Sequence, residues 1–216
     1  IAMKDLDIRG AGNLLGGEQS GFISDIGYET YQKILEEAIH ELKETEFKDL
    51  FKEEKETSRN YVHEVEVDAD IEMLIPDDYV NIIQERLSIY TEMSTIEKEE
   101  QLVAFRDKLK DKFGPVPYQV DELFNGIRLR WICKRLGMER LSLKSRKLRC
   151  YFIGNPQSSF YETDMFKNFI TYITTKGGKE GLSIKQSKSF LNLVKDGVNN
   201  LKTCRRILEN IEKEIK

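Results

Sequence analysis

The apolar residues of this chain recur at spacings that divide it into short elements. Tyr31, Ile34, Leu35, Ala38 and Leu42 step by three and four, which predicts an amphipathic helix over 28–43. The next stretch, 44–60, is dense in charge, lacks Pro and Gly, and has only Phe47, Leu50 and Phe51 to anchor it; it reads as a linker. Val62, Val65 and Val67, interleaved with Glu64, Glu66 and Asp68, read as a half-buried strand. Pro76 breaks that strand, and Asp77 is the expected N-cap of a helix reaching Met93, with Val80, Ile83, Leu87 and Tyr90 as its apolar face. Ser94 or Thr95 is expected to cap a second helix with the stripe Leu102, Phe105, Leu109 and Phe113, stopped at Gly114-Pro-Val-Pro117. A third helix follows, with Val120, Leu123, Phe124, Ile127, Trp131 and Ile132 inward and its end at Gly137.

Beyond Gly137 the period shortens. Leu141–Lys144 and Lys147–Ile153 read as a hairpin turned at Ser145-Arg146, and Leu182–Gln186 with Ser189–Val194 as a second. Helices are predicted between them, over 163–176 (Met165, Phe169, Ile170, Ile173), and at the end (Leu201, Cys204, Leu208, Ile211, Ile215). The steps of the last helix would suit a coiled coil, but two heptads fit ordinary core packing better. The expected class is α+β: a glycine loop plus helix at 1–43, a charged linker at 44–60, and a C-terminal domain at 61–216 of helices packed on a small mixed or antiparallel sheet.

Charge sharpens this division. The net charge is only −4, yet residues 1–60 carry −6, 61–124 carry −10 and 125–216 carry +12. Poles of opposite sign point to docking against a charged partner. Three isolated cysteines, Cys133, Cys150 and Cys204, suit packed thiols in a reducing cytoplasm rather than a disulfide frame. No apolar run approaches the roughly 20 residues that span a bilayer. The chain opens at Ile1 in mid-pattern, without Met or a leader, and reads as a piece of a longer protein.

The most distinctive stretch is the first. Asp5-Leu-Asp-Ile-Arg-Gly-Ala-Gly-Asn-Leu-Leu-Gly-Gly-Glu-Gln-Ser-Gly21 packs five glycines into 17 residues around Arg9 and Gln19. Such freedom of backbone suits a loop that grips phosphates or relays a motor's state. It is not a dinucleotide fingerprint: Gly10, Gly12 and Gly16 are spaced one residue too long for G-x-G-x-x-G. The run resembles the translocation motif shared by the bacterial transcription-repair coupling factors (the Mfd family) and the RecG-like branch-migration helicases. Three later segments resemble the C-terminal domain of the coupling factors, which RecG lacks: Ile75-Pro-Asp-Asp-Tyr-Val80, Lys112-Phe-Gly-Pro-Val-Pro117 and Cys133-Lys-Arg-Leu-Gly137. The resemblance covers about 1–43 and 71–140 and fades across 141–216.

That resemblance implies an ATP-dependent duplex-DNA translocase of helicase superfamily 2, which displaces stalled RNA polymerase and recruits excision-repair proteins. Arg9, Gly10, Gly12, Gly16, Gln19, Ser20 and Gly21 would then couple hydrolysis to movement, and 61–216 would regulate by masking the repair-protein surface. ATP and magnesium would belong to the parent motor, because no G-x-x-x-x-G-K-[ST] occurs here. This piece by itself is expected to catalyse nothing and to hold no metal: His40 and His63 stand without ligand spacing, and Asp77-Asp78 reads as a cap.

One stretch offers a different reading. Arg128, Arg130, Lys134, Arg135, Arg140, Lys144, Arg146, Lys147 and Arg149 crowd into 22 residues against a lone Glu139. They could meet phosphates, with Trp131 and Tyr151 to stack on bases, or dock an acidic protein surface. Trp131 falls on the apolar stripe, which favours the protein dock.

Overall fold

The computed structural model describes residues 61–186 and 190–216, all within the second of the chain's two compact units, Asn60–Lys216. The expected helix over 28–43, the linker and the glycine loop lie outside the described residues. The fold is α+β. Its elements are β1 (Glu66–Ala69), α1 (Ile83–Ser94), α2 (Glu99–Phe113), α3 (Tyr118–Arg135), β2 (Met138–Lys144), β3 (Lys147–Phe152), α4 (Asp164–Thr175), β4 (Leu182–Gln186), β5 (Leu191–Asp196) and α5 (Leu201–Ile215). The sheet is mixed, in the order β1-β2-β3-β5-β4, with β1 parallel to β2 and every other pairing antiparallel.

Two apolar clusters form. The larger lies between α3, α4 and α5 and one face of the sheet, built on Leu141, Leu148, Cys150, Phe152, Leu193 and Leu208. The smaller is helical: Ile89 and Met93 of α1, Leu102, Phe105 and Leu109 of α2, and Val120, Phe124 and Ile127 of α3. The helix α3 serves both, because Leu129, Ile132 and Cys133 in its second half turn into the sheet core. Phe105 and Phe124 meet edge to face at 6.4 Å across the α2–α3 contact.

Several local expectations change. The strand at Val62–Val67 is shorter and later: Val62 and Val65 are both buried, a spacing of three that no strand allows, and only Glu66–Ala69 pairs with β2. Asp77 caps nothing. Pro76 O accepts from the N–H groups of Tyr79 and Val80, the turn drives Val80 into the core, and α1 begins only after Ile82. Asp77 instead points outward to Arg86 at 3.0 Å. Ser94 and Thr95 do not start α2 either. Their hydroxyls donate back to Thr91 O and Glu92 O, closing α1, while Gln101 Oε1 accepts from Lys98 N–H at the start of α2.

The two hairpins and the last two helices stand much as expected. Ser145 and Arg146 have φ of 51° and 59°, the paired left-handed residues of a tight two-residue turn. Ser145 N–H donates to Asp70 at 2.8 Å and Arg146 to Asn199 at 2.7 Å, bracing that turn from both sides. Thr163 and Asn200 accept from the N–H groups of Phe166 and Thr203, capping α4 and α5. The apolar steps of α5 face the sheet core, so no coiled coil is needed to account for them.

Candidate functional site

The basic stretch does not act as one surface. Arg128 is held by Glu99 at 2.6 Å, tying α3 to α2, and only 16% of its side chain is exposed. Arg135 forks onto Glu212 at 2.7 and 2.9 Å, tying α3 to α5. Arg130 and Lys134 lie on α3, and Arg146 sits in the turn. The hairpin gathers the rest. Register pairs Arg140 with Tyr151, Ser142 with Arg149, and Lys144 with Lys147, all on the sheet face away from the core. Trp131 is partly buried against the helical cluster and is not part of that face.

Much of this charge is already answered. Lys144 meets Asp68 at 2.6 Å, Arg140 lies 3.4 Å from both Glu66 and Asp68, and Lys147 meets Asp196 at 3.0 Å. A hydrogen bond from Lys144, with Arg140 nearby, holds the Asp68 carboxyl below its ordinary range. The sequence reading missed β1's part in this, since the acidic residues it supplies are 70 and more positions away.

A second surface emerges from an error in the helix reading. Val80 is buried, but Ile83 and Leu87 of the expected apolar face are 60% and 61% exposed, with Tyr90 and Ile82 exposed beside them. The inward residues are Ile89 and Met93. Two stripes fit this sequence at helical spacing, and packing against α2 selects the other one. Ile83, Leu87 and Tyr90 form an outward ridge on the acidic part of the chain. Tyr90 Oη accepts from Ile75 N–H at 2.8 Å, fixing the end of the ridge next to exposed Leu74. On the flank of α1 a groove of about 340 Å³ runs above Ile89, Phe105 and Leu109, crossed by Lys108–Glu92 and Lys112–Glu85 ion pairs at 2.7 and 2.9 Å.

All three cysteines are free and buried, and burial pushes the Cys133 and Cys204 thiols up to about 12. Among the described residues no group of three or more His, Cys, Asp or Glu could hold a metal, and no helix is long and apolar enough to cross a membrane. Arg9, Gly10, Gly12, Gly16, Gln19, Ser20 and Gly21 lie outside the described residues.

Comparison with known proteins gives this architecture a class. Residues 69–163 match the TRCF domain, so the helical cluster, the first hairpin and the start of the second half belong to one recognised unit. Over 211 residues, 97% of this chain, it is 30% identical to a transcription-repair-coupling factor of Staphylococcus haemolyticus (strain JCSC1435), and it covers 17% of that protein. A transcription-repair-coupling factor of Staphylococcus aureus (strain USA300) is 36% identical over 133 residues, which is 60% of this chain and 10% of that one. The crystal structure of a C-terminal domain of transcription-repair coupling factor superposes with a TM-score of 0.54 at 20% identity, covering 70% of this chain and 93% of that one. At that identity it speaks for the fold alone. The chain belongs to the transcription-repair-coupling factor family. It spans about a sixth of the length of these relatives.

Proposed function

We propose that this chain is the C-terminal part of an ATP-driven duplex-DNA translocase that displaces stalled RNA polymerase and couples transcription to excision repair. ATP and magnesium are then held by motor elements beyond this chain, and the loop at 5–21 links hydrolysis to movement. The 61–216 domain is a latch: docked on its own parent, it masks the surface that excision-repair proteins bind. The observation that favours the latch is the ridge of Ile83, Leu87 and Tyr90. A folded domain with a closed helical core has no internal use for three exposed apolar residues in line. An acidic surround and a modest apolar strip suit an inter-domain contact that must open, since such contacts within a chain resemble transient interfaces.

The test is removal of residues 61–216 from the parent, with affinity for the excision-repair partner measured before and after. A latch predicts tighter binding by about 5- to 150-fold, the usual range of coupling between sites. Equal affinity in the two forms would end the latch reading.

A further inference from the structure

On the sheet face opposite the core the charges are unevenly matched. The acidic side chains stand at its margins: Glu66 and Asp68 on the β1 edge answer Arg140 and Lys144, and Asp196 answers Lys147. Arg149 stands at the centre of the middle strand. The residues opposite it are Ser142 and Val194, both uncharged and buried, and no carboxylate among the described residues reaches its guanidinium. Diagonal to it on β5 is Asn192, whose Oδ1 is buried and has no hydrogen-bond partner. Register then places exposed Lys185 of β4 directly beside Asn192. Arg149, Asn192 and Lys185 thus run obliquely over three strands, with a planar cation and an exposed second cation on either side of the amide.

We infer that this face docks an acidic segment of a second protein, with a carboxylate forked on Arg149 and another near Lys185. The details select polypeptide over nucleic acid. Arg140 already lies over the Tyr151 ring, 5.7 Å from its centre, and Phe190 meets that ring edge-on at 6.0 Å, so the Tyr151 ring is already engaged and is not free to stack on a base. The flanking Glu66, Asp68 and Asp196 would also repel a continuous polyanion while leaving spaced carboxylates room. A face with so little apolar area suits a steered, reversible partner in trans, and it is separate from the ridge assigned to the latch.

The experiment uses the whole chain and a fluorescent peptide alternating Asp and Val, with the same peptide carrying Asn for Asp and a labelled duplex and single-stranded oligonucleotide as counter-probes. The Asp peptide should bind saturably, more weakly as salt rises, and the Asn peptide should not. R149M should weaken it about ten- to hundredfold, as expected on losing a forked charged hydrogen-bond pair, with R149K in between. K185E on the exposed edge strand should weaken it independently, which keeps the test decisive if R149M is poorly folded. R130M, on the far helix α3, should change nothing. Undiminished binding by both R149M and K185E, or no saturable binding at all, overturns the inference. Tighter binding of either oligonucleotide, lost in R149M, replaces it with a nucleic-acid surface.

Discussion

At the scale of single residues, Gly137 shows how much one position can decide. It ends α3 with φ of +71°, and a Cβ there would lie 2.1 Å from a ring carbon of Phe160. Gly137→Ala therefore combines a left-handed penalty of about 1–2 kcal/mol with overpacking of about 1–3 kcal/mol. Urea denaturation should show a loss of at least about 2 kcal/mol, and a near-neutral result would mean that Phe160 moves freely. Glu212 makes a different point. Arg135 above all, and Lys216 with it, hold its carboxyl below the usual range. A depressed folded value means that its pairing stabilises the protein above the unfolded value of about 4.3 and that this support fades as pH falls through the folded value. Glu212→Gln should cost about 1–2 kcal/mol at neutral pH and far less in acid, giving a flatter stability profile on the acid side. An equal loss at both pH values would assign the effect to packing.

At the scale of elements, α1 is where sequence and structure part. Its sequence carries two apolar stripes, Ile83-Leu87-Tyr90 and Ile89-Met93, and periodicity alone ranks the longer one as core. The structure buries the shorter one, since Ile89 and Met93 are 7% and 5% exposed. Ile83→Asp with Leu87→Asp should then leave the isolated domain's stability within about 0.5 kcal/mol, as for other surface changes. The same pair in the full parent should raise affinity for the repair partner part of the way toward that of the truncated form. Unfolding of the domain by these substitutions would return the ridge to the core and remove the basis of the latch. The first hairpin was legible because the alternation Leu141, Leu143, Leu148, Cys150 admits one register around a two-residue turn.

For the whole molecule, the proposed roles divide between a loop that follows the motor and a domain that restrains it. Arg9→Ala or Gln19→Ala in the full parent should leave ATP hydrolysis largely intact while abolishing displacement of a roadblock on DNA. Both side chains offer directional hydrogen bonds from a glycine-rich stretch whose sequence lacks a phosphate-cradling Walker motif. A proportional fall of hydrolysis and displacement would place the loop in the ATP site instead.

The sequence by itself determined the class, the hairpin turn at Ser145-Arg146, the inward faces of α2, α4 and α5, and the family, because each rests on local period or on a contiguous motif. Helical period and strand alternation are set by neighbours a few residues apart, and those neighbours stand in the sequence itself. The tertiary structure alone decided which stripe of α1 turns inward, that β1 runs parallel to β2, and which cations are already paired. Arg128 and Arg149 look alike in a basic stretch. One is matched by Glu99, 29 positions away, and the other faces Ser142 and Val194 across two strands. A charge takes its meaning from what stands within about 4 Å of it, and pairings between distant segments are fixed only when the sheet and α3 bring them together.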